Sequence, residues 1–280
     1  MHKGIRTALI LCLILVVIGA GLVIAGIALG GSPNFTLDWE NRKISTSSKA
    51  DVIGDLTPQA FTTLEIDAVV ADVTIERGES WSLRYALAEE PEITQANGVL
   101  RLKDRTHGKI NFVGISVSGG NEAYVTVTVP ADAALERIKL HTATGMVTLS
   151  DFTVGTLEAE CNTGDFLLTN VTASELDLNG NTGSLELSNV TATFRAELET
   201  NTGDIIAEAL SVPAGLEAET NTGDVKLSLT GTEADYALDL EADLGEVVVN
   251  GKPQGHRFHA GSGVSVSAET NTGDVRVQIG

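Results

Sequence analysis

A tetrapeptide, Asn-Thr-Gly followed by an acidic residue, recurs through the C-terminal half of this sequence and constrains its fold more than any other feature. The glycines of seven copies stand at positions 145, 164, 183, 203, 223, 245 and 273, so the steps between them are 19, 19, 20, 20, 22 and 28 residues. A period near 20 residues is typical of a solenoid, in which each repeat forms one coil and buries its apolar side against its neighbours.

The copies differ in how much of the motif they keep. Four are complete, one has serine in place of the acid, and the copies at Gly145 and Gly245 are reduced to Thr-Gly-Met and Asp-Leu-Gly-Glu. A catalytic loop would not need so many copies, so we assign these residues a structural role at a corner of each coil. They are Gly164, Gly183, Gly203, Gly223, Gly245 and Gly273, with Asn162, Asn181, Asn201, Asn221 and Asn271.

Apolar and polar residues alternate on both sides of each glycine. Leu176 and Leu178 stand seven and five residues before Gly183, and the acidic Asp177 lies between them. This period of two is typical of strands with one buried face. The sequence therefore predicts an all-β fold, a single-stranded parallel β-solenoid (β-helix-like) with coils of about 19–22 residues. We expect successive coils to stack about 4.8 Å apart.

The composition of the corner has a physical reason. A tight bend between two strands favours a residue with positive φ, which glycine adopts without a Cβ penalty. Asparagine at the same corner of every coil can donate a hydrogen bond from its amide to the asparagine of the next coil, as in stacked ladders. We therefore expect a continuous file of asparagine side chains along the solenoid.

The N-terminal region indicates a membrane anchor. Lys3 and Arg6 precede Ala8–Leu29, a run of 22 residues without a charge. Such a run can cross the hydrocarbon core as a helix, and it is longer than the apolar stretch of a typical signal peptide, although cleavage after Gly30 stays an alternative. Positive residues favour the cytoplasmic side. We predict a single-pass protein of the cell membrane with an extracytoplasmic C-terminal domain.

The predicted domain boundaries follow from these features. They are a cytoplasmic tail at 1–6, a transmembrane α-helix at 7–30, a polar tether at 31–60 and a β-solenoid at 61–280. Within the solenoid, 61–130 holds a first coil and a β excursion, and 131–280 holds the regular repeats. The excursion has predicted strands at Trp81–Leu87, Val99–Lys103 and Tyr124–Val129.

A second interruption, Gly251–Gly263, immediately precedes the last copy of the motif. We expect it to fold over the end of the array, because an open parallel stack presents unpaired backbone groups. Its Lys252, Pro253, His256 and Arg257 are poor strand residues, so we expect it to stay outside the sheets.

Composition excludes several classes of function. The formal net charge is −20, which makes nucleic acid an unsuitable partner. The two cysteines, Cys12 and Cys161, predict no disulfide; Cys161 falls in an inward column as a small core residue. The spacing of His256 and His259 is the only one among the five histidines that suits a metal, and a strand or loop pair of this kind is more often solvated than bound to zinc. The sequence has neither a phosphate-binding glycine loop nor a nucleophile elbow. We predict no enzymatic activity and no cofactor.

The acidic residues have two interpretations. From Ala131 to Gly280 there are 24 acidic and 7 basic residues, so −17 of the charge lies on the regular repeats. Carboxylates about 4.8 Å apart repel by about 0.9 kcal/mol per pair in a water-like dielectric. The first interpretation is a solvated face that prevents lateral pairing of sheets. The second is weak, multi-site binding of Ca²⁺ or Mg²⁺ by carboxylate oxygens.

Three stretches in this order carry a resemblance to a known family. They are Phe61-Thr62-Thr63-Leu64-Glu65-Ile66, then Val125-Thr126-Val127-Thr128-Val129-Pro130, then the run of Thr-Gly-Asp-Val coils. Over Phe61 to Gly280 the chain resembles bacterial envelope proteins grouped as a putative-adhesin family with β-strand repeats. The resemblance implies a surface binding domain and no catalytic residue, and some members lie beside envelope-stress signalling systems.

Two functions of different classes follow from this resemblance. The first is an adhesin-like binding module of the envelope, with an envelope protein or a polysaccharide as its ligand. The second is an accessory component of envelope-stress signalling. A polysaccharide-active enzyme on a β-helix is disfavoured because the returns between coils are short and even, whereas such enzymes build a cleft from long loops.

Overall fold

The computed structural model describes residues 50, 52–105 and 123–280, together with the backbone of 35–38, 43–45 and 109–112. The tail predicted at 1–6 and the transmembrane helix predicted at 7–30 lie outside the described residues. The described part of the chain contains no helix that is long and apolar enough to cross a membrane. Its one helix is a single 3₁₀ turn at Glu233–Asp235, and the rest of the regular structure is β.

The chain divides into two units. The smaller one contains a three-stranded antiparallel sheet made by β1 (Phe35–Asp38), β2 (Lys43–Ser45) and β9 (Lys109–Phe112), with β1 in the centre. The larger one spans Ala50–Arg105 and 122–280 and holds two large sheets.

The first sheet of the larger unit, sheet one, has 11 strands. These are β4 (Thr63–Val70), β7 (Glu92–Ala96), β8 (Val99–Lys103), β11 (Leu135–Thr144), β13 (Thr153–Thr163), β15 (Thr172–Thr182), β17 (Thr191–Thr202), β19 (Leu216–Thr222), β21 (Tyr236–Ala242), β24 (Arg257–Gly261) and β25 (Val264–Thr272).

The second sheet, sheet two, has 12 shorter strands. These are β3 (Val52–Leu56), β5 (Asp72–Gly78), β6 (Ser82–Leu87), β10 (Tyr124–Pro130), β12 (Val147–Ser150), β14 (Phe166–Thr169), β16 (Leu185–Ser188), β18 (Ile205–Leu210), β20 (Val225–Leu229), β22 (Val247–Val249), β23 (Lys252–Gly255) and β26 (Val275–Ile279).

Each coil consists of one strand of sheet one, the Asn-Thr-Gly corner and one strand of sheet two. Neighbouring coils pair in parallel and in register, so that Leu178, Leu198 and Ala218 form one inward file. All three are buried, whereas Glu217 beside them faces outward. The predicted alternation and the predicted all-β fold are therefore confirmed, and the coils form two sheets rich in parallel pairs.

The order of the coils differs from the order of the sequence at the C-terminal end. The coil of Gly273, made by β25 and β26, lies between the coils of Gly223 and Gly245: β25 pairs with β19 and β21, and β26 pairs with β20 and β22. The expectation that successive coils stack was wrong here. After β20 the chain passes over one position in the stack, and it returns later to fill that position.

The interruption before the last coil forms the end of the array, and it does so as strands. β23 pairs antiparallel with β22 at the edge of sheet two, and β24 pairs antiparallel with β21 at the edge of sheet one. The prediction that Lys252, Pro253, His256 and Arg257 would keep this segment out of the sheets was wrong. Pro253 is tolerated because an edge strand needs hydrogen bonds on one side only.

The opposite end is built by the predicted excursion. β6, β8 and β10 match the three predicted strands within one residue at either end. β8 and β10 add one more parallel coil beside β4 and β5, and β6 and β7 pair antiparallel on its far side. β3 then pairs antiparallel with β6 and forms the edge of sheet two. The sequence analysis missed β3 and β7.

Candidate functional site: a glutamate groove beside the asparagine ladder

The asparagines of the corner form the expected ladder. The amide of Asn201 donates to Oδ1 of Asn181 at 3.1 Å, Asn221 donates to Asn201 at 2.8 Å, and Asn271 donates to Asn221 at 2.6 Å. The last bond joins residues 50 apart in sequence because the coil of Gly273 follows that of Gly223 in the stack. Asn162 lies in the same file by strand register and makes no such bond within the described structure.

The acid after each glycine bonds to the backbone of the next coil. Oδ1 of Asp204 accepts from the amide N–H of Asp224 at 2.8 Å, and Oδ1 of Asp224 accepts from that of Asp274 at 2.9 Å. This backbone bond, together with Lys226 and Arg276, lowers the pKa of Asp224. In the copy with serine, Oγ of Ser184 accepts from the N–H of Asp204 at 3.2 Å, so a hydroxyl replaces the carboxylate. The acid of the motif thus accepts a hydrogen bond from a backbone N–H of the next coil and joins the two corners.

Glycine is required at the corner for two reasons. The predicted one holds, since Gly203 has φ of 148°. The second was not visible in the sequence: a Cβ at this position would lie 2.0 Å from the carbonyl oxygen of Gly183 in the preceding coil. The same separation recurs at Gly183 and Gly223, while at Gly245 the distance to the carbonyl oxygen of Gly273 is 1.7 Å. The corner backbones therefore stack too closely for any side chain.

Inward-facing threonines satisfy the corner carbonyls. Oγ1 of Thr200, Thr220 and Thr270 donates to the carbonyl oxygens of Gly183, Gly203 and Gly223 at 3.0, 2.9 and 2.8 Å. Cys161 occupies the same file, and its thiol donates to the carbonyl oxygen of Gly145 at 3.3 Å. Burial raises the pKa of this thiol. Cys161 is thus a core residue as predicted.

The chain turns again after the strand in sheet two, at a return for which the sequence analysis predicted neither the positive φ nor the side-chain hydrogen bonds. Asp151, Asn170 and Asn189 have φ between 54° and 63°, and their side chains bond to one another at 2.8 Å. The signal was present in the sequence, because these residues recur six positions after a glycine. Ala209 takes the same conformation in the next coil with φ of 53° and cannot extend the ladder.

Two files of acidic residues run along the outer face of sheet one. The first contains four consecutive carboxylates, Glu158, Asp177, Glu197 and Glu217, before Ser267 interrupts it. The second contains Glu199, Glu219, Glu269 and Glu241 without interruption, and Asn179 precedes them. Strand pairing thus brings eight carboxylates onto one face in neighbouring positions.

Burial and the neighbouring carboxylates raise the pKa of three residues in these files. Burial first, and then the neighbouring Glu197 and Glu158, raise the pKa of Asp177. Burial and Glu219 raise the pKa of Glu199, and burial and Glu241 raise that of Glu269. Charged carboxylates in adjacent strands repel one another, so each favours the neutral form of the next.

Basic residues pair with carboxylates at the outer ends of the two files, and Arg195 pairs with Glu197 inside the first file. Lys139 forms an ion pair with Glu158, and Arg257 forms one with Glu241. One coil beyond Lys139, Glu65 lies 2.5 Å from Arg101 of the following coil. The interior carboxylates Glu199, Glu219 and Glu269 have no such partner in the described part of the chain. The second file therefore leaves an unneutralised negative segment in the middle of sheet one.

An open groove of about 280 Å³ lies along this segment. Glu199 and Glu219 form one wall, the ladder residues Asn181, Asn201 and Asn221 form the other, and the floor lies at Gly180 and Thr200. We call this site the glutamate groove. It combines acceptor carboxylates with amides that keep hydrogen-bonding capacity after the ladder bonds are made. Such a site suits a cationic group with additional polar atoms.

The described residues do not form a metal site of the kinds considered from the sequence. No group of three or more potential ligands is gathered among the described residues. His256 lies 2.7 Å from the carbonyl oxygen of Gly245, while His259 lies 3.8 Å from Asp239, so the two rings have different partners. The corner residues assigned from the sequence hold the coils together, and the structure adds the neighbouring glutamate files as the candidate binding surface.

Comparisons with solved structures give matches at low sequence identity. A putative adhesin from Bacteroides fragilis NCTC 9343 is 15% identical, with a TM-score of 0.44, over 81% of this chain and 96% of that one. A putative adhesin from Parabacteroides distasonis ATCC 8503 is 15% identical, with a TM-score of 0.40, over 82% and 96%. A putative lipid binding protein from the same organism is 14% identical, with a TM-score of 0.30, over 82% and 96%.

No curated protein matches the chain. The model of the family Toastrack DUF4097, in contrast, matches residues 61–279, which include every strand of the two large sheets except β3. The chain therefore belongs to the Toastrack DUF4097 family.

Proposed function

We propose that the chain is a non-enzymatic, adhesin-like binding module of the cell envelope, and that the glutamate groove is its binding face. Residues 7–30 anchor it in the cell membrane, with the N-terminus in the cytoplasm and the solenoid outside. The observation that carries the proposal is the run Glu199, Glu219, Glu269 and Glu241, whose first three members have no ion pair with a basic residue in the described structure and lie beside a ladder of amides. The adhesin names of the similar solved structures are consistent with it.

The groove favours an extended, positively charged partner. Its carboxylates repeat at the spacing of neighbouring strands, about 4.8 Å, so a chain with regularly spaced cations can contact several coils at once. Each contact is weak because the groove is open and salt screens it. A basic, unfolded segment of another envelope protein has the required chemistry, and we propose it as the ligand class.

A pair of matched double variants tests the binding face. Glu199→Gln with Glu219→Gln removes two charges from the groove, and Glu186→Gln with Glu208→Gln removes two from sheet two. The probe is a fluorescent deca-lysine peptide, titrated with the full-length protein in detergent. We expect the groove variant to bind at least about tenfold more weakly, or about 1.4 kcal/mol. We expect the control to change the dissociation constant less than about twofold.

Equal losses in both variants would show that the peptide responds only to net charge, and the groove would not be the site. The same titration with added Ca²⁺ tests the alternative of a cation-binding face: competition at micromolar Ca²⁺ would favour the ion over the basic segment. The anchor is tested separately by adding protease to intact cells, which should remove the part of the chain after residue 30.

A further inference from the structure

The C-terminal coil fills an interior position of the array. It consists of β25 and β26, and each of these strands pairs with earlier strands on both sides. Val266 and Val275 at its centre are fully buried. The last residues of the chain therefore enter a slot whose two walls, the coils of Gly223 and Gly245, both precede them in sequence. The coil of Gly245 must either wait for these residues or be displaced by them.

The outer wall of this slot is a unit that the chain builds from neighbouring segments. β21 pairs with β24 and β22 pairs with β23, so residues 236–261 pair with one another along both sheets. Between the two sheets, the ring of His256 lies 2.7 Å from the carbonyl oxygen of Gly245, and its own carbonyl oxygen accepts from the N–H of Ala242 at 2.8 Å. These contacts are local in sequence, so they can form before the C-terminal coil is in place. We call residues 236–261 the lid.

The inner edge of the lid matches the coil of Gly223 as it matches the C-terminal coil. The N–H of Glu246 donates to Oδ1 of Asp274 at 2.8 Å, and Asp224 holds the equivalent position one coil further in. β21 is in register with β25, and β25 with β19, so β21 can pair with β19 without a shift of register. Residues 230–235 connect β20 to the lid, whereas the shorter segment 211–215 already connects two adjacent coils, those of β18 and β19. The lid can therefore reach the coil of Gly223.

The C-terminal coil makes two bonds to the coil of Gly223 that the lid cannot make. Oγ1 of Thr270 donates to the carbonyl oxygen of Gly223 at 2.8 Å, and the amide of Asn271 extends the ladder at 2.6 Å. The lid has Ala242 and Asp243 at these two positions. Neither a methyl group nor a carboxylate can donate a hydrogen bond. The two bonds therefore favour the arrangement of the structure, with the C-terminal coil between the coil of Gly223 and the lid.

We propose that the lid is a hinged element with two closed positions. With the C-terminal coil in place it covers that coil, as in the structure. With the C-terminal coil outside the array, it closes directly on the coil of Gly223. The second position protects the edges of β19 and β20, which would otherwise stay unpaired until the last residues of the chain arrive. Insertion of the C-terminal coil then moves the lid outward by one strand spacing, about 4.8 Å.

Disulfide trapping during refolding tests the second position. Full-length protein carrying Glu219→Cys and Glu241→Cys, in a background with Cys12→Ala and Cys161→Ala, is unfolded and reduced in urea, diluted into detergent and oxidised in short pulses. When the lid lies on the coil of Gly223, positions 219 and 241 are in register on adjacent strands, within disulfide reach. We expect early pulses to crosslink them at least about fivefold more than late pulses, in which the C-terminal coil separates them.

The matched control carries Glu217→Cys with Glu241→Cys in the same background. Random contacts of the unfolded chain crosslink this pair equally well, but it is two residues out of register in the proposed position. We expect it to crosslink at least about threefold less than the first pair in the early pulses. If the two pairs crosslink equally, or if the crosslink of the first pair does not decline in the late pulses, the lid has no second position.

A comparison in the folded protein tests what holds the lid outward. Thr270→Ala with Asn271→Ala removes the two bonds that only the C-terminal coil makes, and Thr200→Ala with Asn201→Ala removes the equivalent bonds from an inner coil. Both changes are made in the first double-cysteine protein, which is oxidised mildly without unfolding. We expect the first change to speed the crosslink at least about tenfold and the second to leave its rate unchanged. Equal rates in the two variants would overturn the proposal.

Discussion

The inner coils of the array keep the Asn-Thr-Gly corner motif, whereas the coils on either side of them carry degraded copies. The five coils that keep Asn-Thr-Gly, at Gly164, Gly183, Gly203, Gly223 and Gly273, are consecutive in the stack, although the degraded copy at Gly245 separates the last two in sequence. The degraded copies at Gly145 and Gly245 flank this block on either side. Coils that carry the same corner are thus neighbours in space.

This difference shows what the motif does. An asparagine in the ladder needs another asparagine in the next coil, and the acid needs a backbone N–H placed by the same corner. The coil of Gly245 offers no asparagine to the ladder, although the N–H of its Glu246 still donates to Oδ1 of Asp274 at 2.8 Å, so the ladder ends where this coil begins. Placing the coil of Gly273 beside that of Gly223 completes the ladder and moves the copy at Gly245 outward, where an antiparallel hairpin covers it.

The largest effect is expected in the inward file of an inner coil. Leu198 is fully buried, and Leu198→Asp places a carboxylate in an apolar core where nothing pairs with it. We expect a loss of more than about 4 kcal/mol in the free energy of unfolding, or failure to fold. Glu217→Gln, on the outer face of the next strand, should change it by less than about 0.5 kcal/mol. Similar losses in urea unfolding would refute the assignment of inward and outward faces.

The next effect compares glycines in the two regions. Gly203→Ala meets the carbonyl oxygen of Gly183 and has φ of 148°, so we expect a cost of about 3 kcal/mol or more. Gly251→Ala, in the end hairpin, has φ of 71° and open space around its Cβ, so only the backbone conformation opposes it, at about 1–2 kcal/mol. The difference between the two midpoints of unfolding measures the close stacking of the corners. If the two variants lost equal stability, the close stacking of the corner backbones would not explain the requirement for glycine at position 203.

A smaller effect compares corresponding positions of the ladder. Asn221→Ala removes hydrogen bonds to Asn201 and Asn271, and we expect a loss of about 1–2 kcal/mol. Asp243→Ala changes the equivalent position of the end coil, where the side chain joins no ladder, and should cost less than about 0.5 kcal/mol. Thermal unfolding of both variants provides the measurement. A larger loss for Asp243→Ala would contradict the distinction between inner and end coils.

The smallest expected effect is on the pH dependence of stability. The folded protein raises the pKa of Asp177, Glu199 and Glu269, so it binds protons more tightly than the unfolded chain does. The free energy of unfolding, and with it the melting temperature, should therefore increase as the pH falls from neutral toward the ordinary pKa of a carboxyl group. At lower pH the increase should reverse, because the pKa of Asp224 is lowered and protonation removes its stabilising bonds. A Glu199→Gln and Glu269→Gln variant should lack most of the increase.

The sequence predicts the structure of a single coil, but it does not predict the order in which the coils stack. The period, the alternation and the corner glycine are local, so Leu198 and Glu197 could be assigned to opposite faces without a structure. The order of the coils depends on contacts between residues 50 apart, such as Asn221 and Asn271, and no local pattern reports these. Two signals pointed to the exchange: the degraded copy at Gly245 and the 28-residue step that follows it.

The candidate site, too, could be predicted from the sequence only in its local features. The carboxylates were visible as columns, but the groove depends on the parallel register of β15, β17 and β19. The continuation of its glutamate file to Glu269 and Glu241 depends on the exchanged order of the coils. The poor strand propensity of Lys252 and Pro253 led to a wrong prediction because propensity weighs less than the two unpaired edges that the end coil would otherwise expose.

The order of the coils can be measured directly with engineered disulfides. In a background with Cys12→Ala and Cys161→Ala, one protein carries Glu219→Cys with Glu269→Cys, and another carries Glu219→Cys with Glu241→Cys. Residues in register on adjacent strands are about 4.8 Å apart, and those separated by one strand are about twice as far, beyond disulfide reach. We predict that mild oxidation crosslinks 219 to 269 rapidly and does not crosslink 219 to 241. The opposite result would place the coils in sequence order and contradict the account.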